Sequence, residues 1–527
     1  MEDKSNVEEN LINENESSTI DSNNNKDKKK SLKKNYFYNL AYQIFLLIVP
    51  LITTPYVSRV LTPEGVGQYS FSFSLITFFT LFGALGFGYY AQRAIASKQN
   101  SSYEQSKVFW EIIICRFIPV FIALLVNFIL CFLKVYKEYT NLMLIFSINI
   151  FALAFDIAFY YQGKEEFSKL VIRNFIIKLL SVMAIFLFVK SQNDLYKYAT
   201  INALSVLISS ISMWFLLFKY ICKVRIKEIK PLRHLKGTII LFLPTIAVSI
   251  YTILDKTLIG LMIRDTYSIF DADGKEVIKK YSDLENGYYE QSEKMVKMIM
   301  TIITSIGTVM IPRNSREFSE GNYEQVRRNI FTSCSLVLLI GIPLVLGLIV
   351  ISDNFVPWFF GDGYEKCIVL MKILSPLIII IGFSNVFGLQ YLLPTKKDKS
   401  FTFSLICGAV INLSLNAIFI TFWWSIGAAV ATVISECIVT IIMAIIIRKE
   451  INFFKVLING WKYYLSGTVM FIVCYFVSFK MESSIINTCI IVLAGCFVYL
   501  SMLIILREKY ILLAINKVKS RIIKKKR

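Results

Sequence analysis

Long apolar segments separated by loops of alternating charge constrain the fold of this chain more than any single motif. A window of about 20 residues, the length of a helix that crosses a bilayer, finds roughly fourteen apolar segments between residues 35 and 506. The loops alternate between rich and poor in lysine and arginine, with about 40 of the 57 such residues on one side and about 12 on the other. Since basic loops remain in the cytoplasm, the pattern predicts an all-α, multi-pass membrane protein with both termini cytoplasmic.

The predicted spans leave no connection long enough for a separate soluble domain, in a chain that is 55% hydrophobic. The spans are expected at 36–58, 68–92, 108–132, 139–161, 167–189, 195–218, 237–262, 293–312, 329–351, 366–391, 401–421, 425–447, 461–479 and 485–506. The expected organisation is a disordered cytoplasmic leader (1–34), an N-lobe of six spans (35–222), a basic cytoplasmic linker (223–236), a C-lobe of six spans (237–450), two further spans (451–506) and a basic cytoplasmic tail (507–527).

Charge, cysteine and histidine content exclude several classes of protein. The net charge of +20 comes from residues at the ends of spans, where topology and anionic lipid headgroups account for it better than nucleic-acid binding does. The ten cysteines form no CxxC pair, and the only histidine, His234, lies in the basic linker. Neither a metal centre nor a histidine-based triad is expected, so we predict no catalytic residues and no metal ligands.

Charged residues inside the predicted spans are the first candidates for a functional site. Each costs about 2.5–3.5 kcal/mol at the middle of a bilayer, so such residues persist where they face a watery cavity. The candidate cavity cations are Arg59, Arg116, Lys178, Lys256, Lys297 and Lys372. The candidate carboxylates for ion coupling or gating are Asp156, Asp255 and Glu436. Alternatively, Glu111 and Asp156 would simply neutralise Arg116 and Lys178.

Polar residues at helical spacing support a shared cavity. Thr252, Thr301, Thr304, Asn412 and Asn416 fall on polar stripes of three predicted helices. Such stripes also occur as helix-packing contacts, and lysines near helix ends reach the membrane surface, so a structural explanation stays open. A cavity lined by cations predicts an anionic cargo, for which phosphate or pyrophosphate is the natural partner. Coupling to H⁺ or Na⁺ is compatible with the carboxylates.

The one sizeable outer loop is expected at 263–292. Tyr267-Ser268-Ile269-Phe270 and Glu276-Val277-Ile278 flank Asp271-Ala272-Asp273-Gly274-Lys275, which predicts a β-hairpin around an Asp/Gly turn.

A series of short motifs resembles the polysaccharide transporters of the multidrug/oligosaccharidyl-lipid/polysaccharide (MOP) exporter superfamily, which includes Wzx-type flippases. The motifs, in family order, are Pro55-Tyr56-Val57-Ser58-Arg59-Val60-Leu61-Thr62-Pro63-Glu64-Gly65-Val66-Gly67-Gln68-Tyr69, Leu254-Asp255-Lys256-Thr257-Leu258-Ile259-Gly260, Gly287-Tyr288-Tyr289-Glu290-Gln291-Ser292-Glu293-Lys294, Ile311-Pro312-Arg313, Phe360-Gly361-Asp362-Gly363-Tyr364, Leu374-Ser375-Pro376-Leu377, Asn412-Leu413-Ser414-Leu415-Asn416 and Gly427-Ala428-Ala429-Val430-Ala431-Thr432-Val433-Ile434-Ser435-Glu436. Thr62 departs from the family, which usually has glycine there.

The resemblance implies two six-helix lobes that form a V around a central cavity, with two added helices here. It implies a flippase that moves undecaprenyl-pyrophosphate-linked oligosaccharides from the inner to the outer leaflet of a bacterial plasma membrane for cell-surface polysaccharide synthesis. Membrane lipids surround such a protein, and a polymerase and glycosyltransferases of the same pathway are its expected partners.

Two other functions remain open at this point. One is a MATE-type cation or drug antiporter of the same fold. Such exporters resemble one another in binding cations through an acidic residue in the first lobe. Span 36–58 has no acidic residue, but Asp156 and Glu436 keep this alternative open. A membrane enzyme acting on polyprenyl-linked glycans would need a large outer loop with converging catalytic groups, and 263–292 is short for that.

The predicted topology is tested by thiol labelling in intact cells. A cysteine replacing Asp273 should react with an impermeant reagent, whereas one replacing Lys227 should react only after the membrane is opened, because these positions lie on opposite sides. Equal labelling of both positions in intact cells would contradict the topology.

Overall fold

The protein is described from a computed structural model, which covers residues 45–98, 101–270, 276–513, 516 and 520. Side chains at 134–135, at most positions of 240–252, and at 269, 270 and 277 lie outside this description. The first half contains α1 (45–84), α2 (Phe87–Ala96), α3 (Ser102–Cys131), α4 (Thr140–Phe155), α5 (Ala158–Gly163), α6 (Phe167–Phe188), α7 (Leu195–Ser212) and α8 (Trp214–Leu217).

The second half begins with α9 (Leu235–Met262), β1 (Thr266–Phe270) and β2 (Glu276–Lys280). It continues with α10 (Tyr281–Ser319), α11 (Tyr323–Phe360), α12 (Lys366–Leu374), α13 (Leu377–Phe387), α14 (Asp398–Ile446), α15 (Phe453–Asn459), α16 (Trp461–Phe479) and α17 (Ile485–Ile505). Short 3₁₀ turns occur at Lys134–Tyr139, Gln192–Asp194, Ile226–Glu228 and Pro231–His234, and a π-helical turn at Gly388–Leu392.

The helices confirm the predicted all-α membrane fold. Eleven helical segments of the described residues are long and apolar enough to cross a membrane. Two of these segments, those containing α1 and α14, are each a pair of spans joined by a sharp break, and α9 adds a further 28-residue helix. The described helices thus accommodate about fourteen spans.

The two breaks occur at residues with positive φ. Trp424 (φ 53°, ψ −128°) divides α14, and Thr62 (φ 59°) divides α1 directly before Pro63, a residue suited to the first turn of a new helix. A β-branched residue is rare in this left-handed region, which glycine adopts without cost. The backbone therefore explains why glycine would suit position 62. Thr62 gains one compensating contact, because its Oγ1 accepts a hydrogen bond from Gln192 Nε2 at 2.9 Å.

The helices run alternately between two ends of the molecule. We call the end that carries β1 and β2 the hairpin end, and the end that carries residues 223–236 the linker end; α9 runs from the second to the first. Because each span reverses direction, the described basic connections between spans lie at the linker end. They include 97–98, 164–166, 320–322, 393–397 and 447–452.

The predicted hairpin is confirmed in its strands, but the predicted loop around it is too long. β1 pairs antiparallel with β2, with Thr266 opposite Lys280 and Phe270 opposite Glu276; the turn 271–275 lies outside the described residues. The expectation of a loop up to 292 is wrong, since α10 begins at Tyr281. Hydropathy misses these first turns because their polar side chains, among them Asp283 and Asn286, are buried inside the protein instead of facing lipid.

The hydrophobic cores follow the two lobes. Two clusters of buried side chains lie within the N-lobe, one around Phe146 and one around Phe109. A single larger cluster spans the C-lobe and includes residues of α16 and α17, such as Met470 and Tyr499. Tyr499 also donates a hydrogen bond to the Leu339 carbonyl on α11 at 2.8 Å. The last two helices are therefore an extension of the C-lobe.

Candidate functional site

Polar contacts between the lobes close the hairpin end. Glu64 of α1 accepts hydrogen bonds from Tyr267 and Lys279 of the hairpin, and Lys280 forms an ion pair with Glu138 of the N-lobe at 2.8 Å. One turn further in, Asp283 of α10 accepts hydrogen bonds from two N-lobe side chains. These are Tyr139 (2.7 Å) and Gln68 (3.1 Å).

Two glycines allow α1 and α10 to cross at close range. A Cβ atom at Gly67 would collide with the Asp283 carbonyl, and one at Gly287 would collide with the Pro63 carbonyl. The sequence motifs that carry these glycines therefore meet one another at the lobe interface. Direct backbone contact of this kind leaves no passage between α1 and α10 at this level.

A cluster of charged side chains lies just beneath this closure. Lys256 of α9 forms ion pairs with Glu290 and Glu293 of α10, the latter at 3.0 Å, and Lys297 pairs with Glu293 at 2.6 Å. Glu290 also accepts a hydrogen bond from Ser70 of the N-lobe at 3.0 Å. The two predicted cations Lys256 and Lys297 are thus brought together, but each is already balanced by a carboxylate.

Two further lysines of this cluster have no carboxylate within ion-pair distance among the described residues. Lys294 of α10 lies close enough to Lys178 of α6, to Lys256 and to Glu290 for their charges to interact. Lys178 comes from the N-lobe and Lys294 from the C-lobe, so two like charges face one another across the interface. Sequence reasoning identified Lys178 but missed Lys294, although it lies one helical turn from both Glu290 and Lys297.

A buried carboxylate lies on the other side of α9. Asp255 is 2% exposed and accepts hydrogen bonds from Tyr289 (2.5 Å), Thr432 (2.6 Å) and Asn416 (2.7 Å). Asn416 donates to Asn412 as well, at 3.1 Å. Asp255, Asn412 and Asn416, which were predicted separately, therefore lie in one pocket. Tyr289 and Thr432 belong to the same pocket.

Two polar atoms of this Asp255 pocket have no hydrogen-bond partner among the described residues. They are Asn412 Nδ2 and Asn416 Oδ1, both fully buried. A buried amide oxygen without a donor is costly, so its position beside a carboxylate marks a place where a cation or a water molecule would be stabilised.

The predicted threonines contribute less than their stripe suggested. The hydroxyls of Thr301 and Thr304 donate to carbonyls of their own helix, those of Lys297 (2.9 Å) and Met300 (3.4 Å) respectively. The side chain of Thr252 lies outside the described residues.

Arg116 and Asp156 form a structural contact inside the N-lobe. Arg116 is 4% exposed, donates to the carbonyls of Leu153 (3.2 Å) and Asp156, and lies over the rings of Phe87 and Phe159. The Asp156 carboxylate accepts from the Ala158 backbone at 3.0 Å and so caps α5. The two residues stabilise the break between α4 and α5 and lie apart from the Lys256 cluster.

The remaining predicted residues are separate from the cluster as well. Arg59 is exposed at the hairpin end and donates to the Trp358 carbonyl, which links the two lobes. Lys372 forms an ion pair with Asp353 at 2.7 Å, within the C-lobe. Glu436 is buried in α14, four residues after Thr432 of the Asp255 pocket.

Comparisons with known proteins agree with this architecture. The chain is 24% identical over 428 residues to "Putative O-antigen transporter" of Escherichia coli (strain K12), which covers 80% of this chain and 98% of that protein. The solved structure titled "Lipid II flippase MurJ, inward closed conformation" matches 90% of this chain and 99% of its own, with a TM-score of 0.70 at 16% identity. The solved structure of an inward-facing MATE transporter of the MOP superfamily matches 76% of this chain and 97% of its own, with a TM-score of 0.57 at 13% identity. The last two likenesses concern the fold.

The two lobes thus have the fold of the MurJ and MATE structures. The family model described as "Polysaccharide biosynthesis protein" matches residues 32–318, and the chain belongs to that family. It is a membrane flippase of polysaccharide biosynthesis and not an enzyme.

The structural role of Arg116 gives a stability prediction. Arg116→Gln should lower the free energy of unfolding by about 1–3 kcal/mol, because buried carbonyl oxygens lose a charged donor. Lys372→Gln, the matched control at a partly exposed ion pair, should change it by less than about 1 kcal/mol. Thermal unfolding of the purified variants in detergent measures both; equal melting temperatures would contradict this assignment.

Proposed function

We propose that the protein moves an oligosaccharide linked to a polyprenyl pyrophosphate, of the undecaprenyl type, from the cytoplasmic to the outer leaflet of a bacterial plasma membrane. The linker end then lies in the cytoplasm and the hairpin end outside. The supporting observation is the Lys256 cluster, which lies between the lobes and below a closed hairpin end.

Charge balance favours an anionic headgroup as the ligand of this cluster. Four lysines (Lys178, Lys256, Lys294 and Lys297) and two glutamates (Glu290 and Glu293) leave a net charge of +2. A pyrophosphate diester carries about two negative charges, so it would neutralise the cluster without any further ion. A cationic drug would instead meet a net positive surface, which argues against a MATE-type cargo.

The lysines without a carboxylate partner are the proposed first ligands of the headgroup. Lys178 and Lys294 carry like charges that an anion between the lobes would balance, whereas Lys256 and Lys297 must first exchange Glu290 and Glu293 for phosphate. The oligosaccharide would follow through the polar interface while the polyprenyl chain stays in lipid between the lobes. Outward movement of two negative charges across about 100 mV releases roughly 4–5 kcal/mol.

The Asp255 pocket is the proposed site of a coupling ion, either H⁺ or Na⁺. Its carboxylate, an orphaned amide oxygen on Asn416 and the Thr432 hydroxyl are hard oxygen ligands of the kind that small cations prefer. Lys256, adjacent on α9, belongs to the headgroup cluster, so the two sites share a helical turn. Glu436 is the competing candidate for a coupling or gating carboxylate.

Partners and location follow from the same proposal. Glycosyltransferases that build the lipid-linked oligosaccharide on the cytoplasmic leaflet would supply the cargo, and a polymerase on the outer face would consume it.

Replacing the two free lysines tests the headgroup site. Lys178→Gln and Lys294→Gln should each reduce flipping of a fluorescent polyprenyl-pyrophosphate oligosaccharide in liposomes by about tenfold or more, because a charge-assisted hydrogen bond is lost. Lys294→Arg should restore part of the rate, since it keeps the charge. Lys372→Gln is the control and should flip normally; normal flipping by the Lys178→Gln/Lys294→Gln double variant would remove these lysines from the mechanism.

The coupling carboxylate is identified by measuring flipping with and without an imposed pH or Na⁺ gradient. Asp255→Asn keeps the hydrogen-bonding shape but removes the charge, so flipping should become insensitive to both gradients. Glu436→Gln should retain the response. A gradient response that survives in Asp255→Asn and disappears in Glu436→Gln would transfer the role to Glu436.

A further inference from the structure

The only histidine of the chain is buried where the linker meets the N-lobe. His234 is 4% exposed and ends the turn Pro231–His234, directly before α9. Its Nε2 lies 2.8 Å from Glu111 Oε2 on α3, and its Nδ1 lies 2.7 Å from Tyr90 Oη on α2. The linker, expected to be an ordinary cytoplasmic loop, is docked against the N-lobe at this point.

Glu111 is the centre of this contact. It is fully buried, forms an ion pair with Arg233, and accepts a hydrogen bond from the Lys230 backbone at 2.9 Å. Burial lowers the pKa of His234, which keeps its imidazole neutral near pH 7. A neutral ring donates from Nε2 to Glu111 and accepts at Nδ1 from Tyr90, so both nitrogens are satisfied.

The rest of the linker is held by the same helix. Glu228 accepts a hydrogen bond from Tyr103 at 2.9 Å and lies 3.9 Å from Lys107 Nζ, both on α3. The Cys222 backbone donates to Ser106 at 3.0 Å. Contacts are thus spread along residues 222–234, and α3 positions the whole segment.

The first turn of α9 is fitted closely to α2. A Cβ atom at Gly237 would collide with the Tyr90 ring. Gly86 (φ 71°) approaches so near that a Cβ there would lie 2.7 Å from the Thr238 carbonyl. The linker end of α9 is therefore packed as part of the N-lobe, although α9 carries Asp255 and Lys256 near its other end.

We infer that Glu111 is a positioning residue that fastens the linker and the first turn of α9 to the N-lobe, so that this junction stays closed during transport while the lobes separate at the hairpin end. The role of this junction in transport rests on the proposed function; the fastening rests on the geometry of Glu111, His234 and Tyr90 alone.

Cross-linking compares the junction with the hairpin end. One variant carries Lys107→Cys and Glu228→Cys, and its matched counterpart carries Glu64→Cys and Lys279→Cys; each pair replaces one lysine–glutamate contact. Both are made in protein whose exposed Cys222, Cys489 and Cys496 are replaced by alanine. After treatment with a reducible cross-linker that is thiol-reactive at both ends, the first variant should flip within about twofold of its untreated rate, and the second should stop until the cross-link is reduced. Reversible loss of flipping in the Lys107/Glu228 pair, or continued flipping in the Glu64/Lys279 pair, would overturn the inference.

A second measurement needs no cargo and is independent of the proposed function. Trypsin cleavage within the basic linker of detergent-solubilised protein should be about tenfold faster in Glu111→Gln, because the segment loses its charged acceptor and undocks more often. Glu285→Gln is the matched control: Glu285 is also buried and accepts from a lysine and a backbone amide, those of Lys366 and Ser425, but at the hairpin end of α10. Its linker should be cut at the wild-type rate.

If Glu111→Gln folds poorly, the partly exposed Glu228 provides a milder variant. Glu228→Gln should accelerate cleavage by a smaller factor than Glu111→Gln. Equal cleavage of wild type, Glu111→Gln and Glu228→Gln would overturn the fastening, whatever the cargo is. Faster cleavage together with failure of every oligosaccharide to flip would instead leave the fastening intact and count against the proposed function.

Discussion

The ion pairs of Lys256 with Glu290 and Glu293 join the two C-lobe helices that face the N-lobe, and the polar contacts of this level depend on them. A charged side chain inside a membrane must be neutralised or face water, and these contacts hold α9 and α10 together at the level where the lobes meet. The neighbouring residues Asp255 and Tyr289 point into the C-lobe and bind one another. Both contacts join the same turns of α9 and α10, so the proposed headgroup site and the Asp255 pocket are held by the same pair of helices.

The charged side chains inside the helical bundle are of two kinds, those with polar partners and those without a nearby carboxylate among the described residues. Arg116 is deeply buried, yet its Nη1 donates to carbonyls at the break between α4 and α5. Lys178 and Lys294 are only half-buried, but the described residues place no carboxylate within ion-pair distance of either. For this reason the proposed ligand site is placed at Lys178 and Lys294 and not at the more deeply buried Arg116.

Much of the fold could be predicted from sequence, because hydropathy and loop charge are local properties. The spans, the strands of the hairpin and the shared side of the basic loops follow from them. The contacts could not: Glu111 meets His234 across 123 positions, and hydropathy assigned the first turns of α10 to a loop because their buried side chains are polar. Of the candidate site, Lys256, Asp255 and Asn416 were predicted one by one, whereas their partners Glu290, Glu293 and Tyr289 required the three-dimensional arrangement.

The hairpin end and the junction of the linker with the N-lobe are held by contacts of different kinds. At the hairpin end Lys280 and Glu138 are partly water-exposed, and such ion pairs contribute about 0–1 kcal/mol each. At the linker end Glu111 and His234 are excluded from water, where separation would leave a carboxylate without its donors, a cost of about 1–3 kcal/mol or more. The exposed ion pair at the hairpin end is therefore weaker than the contact at Glu111, but the buried bonds of Asp283 with Tyr139 and Gln68 must also break before the lobes separate there.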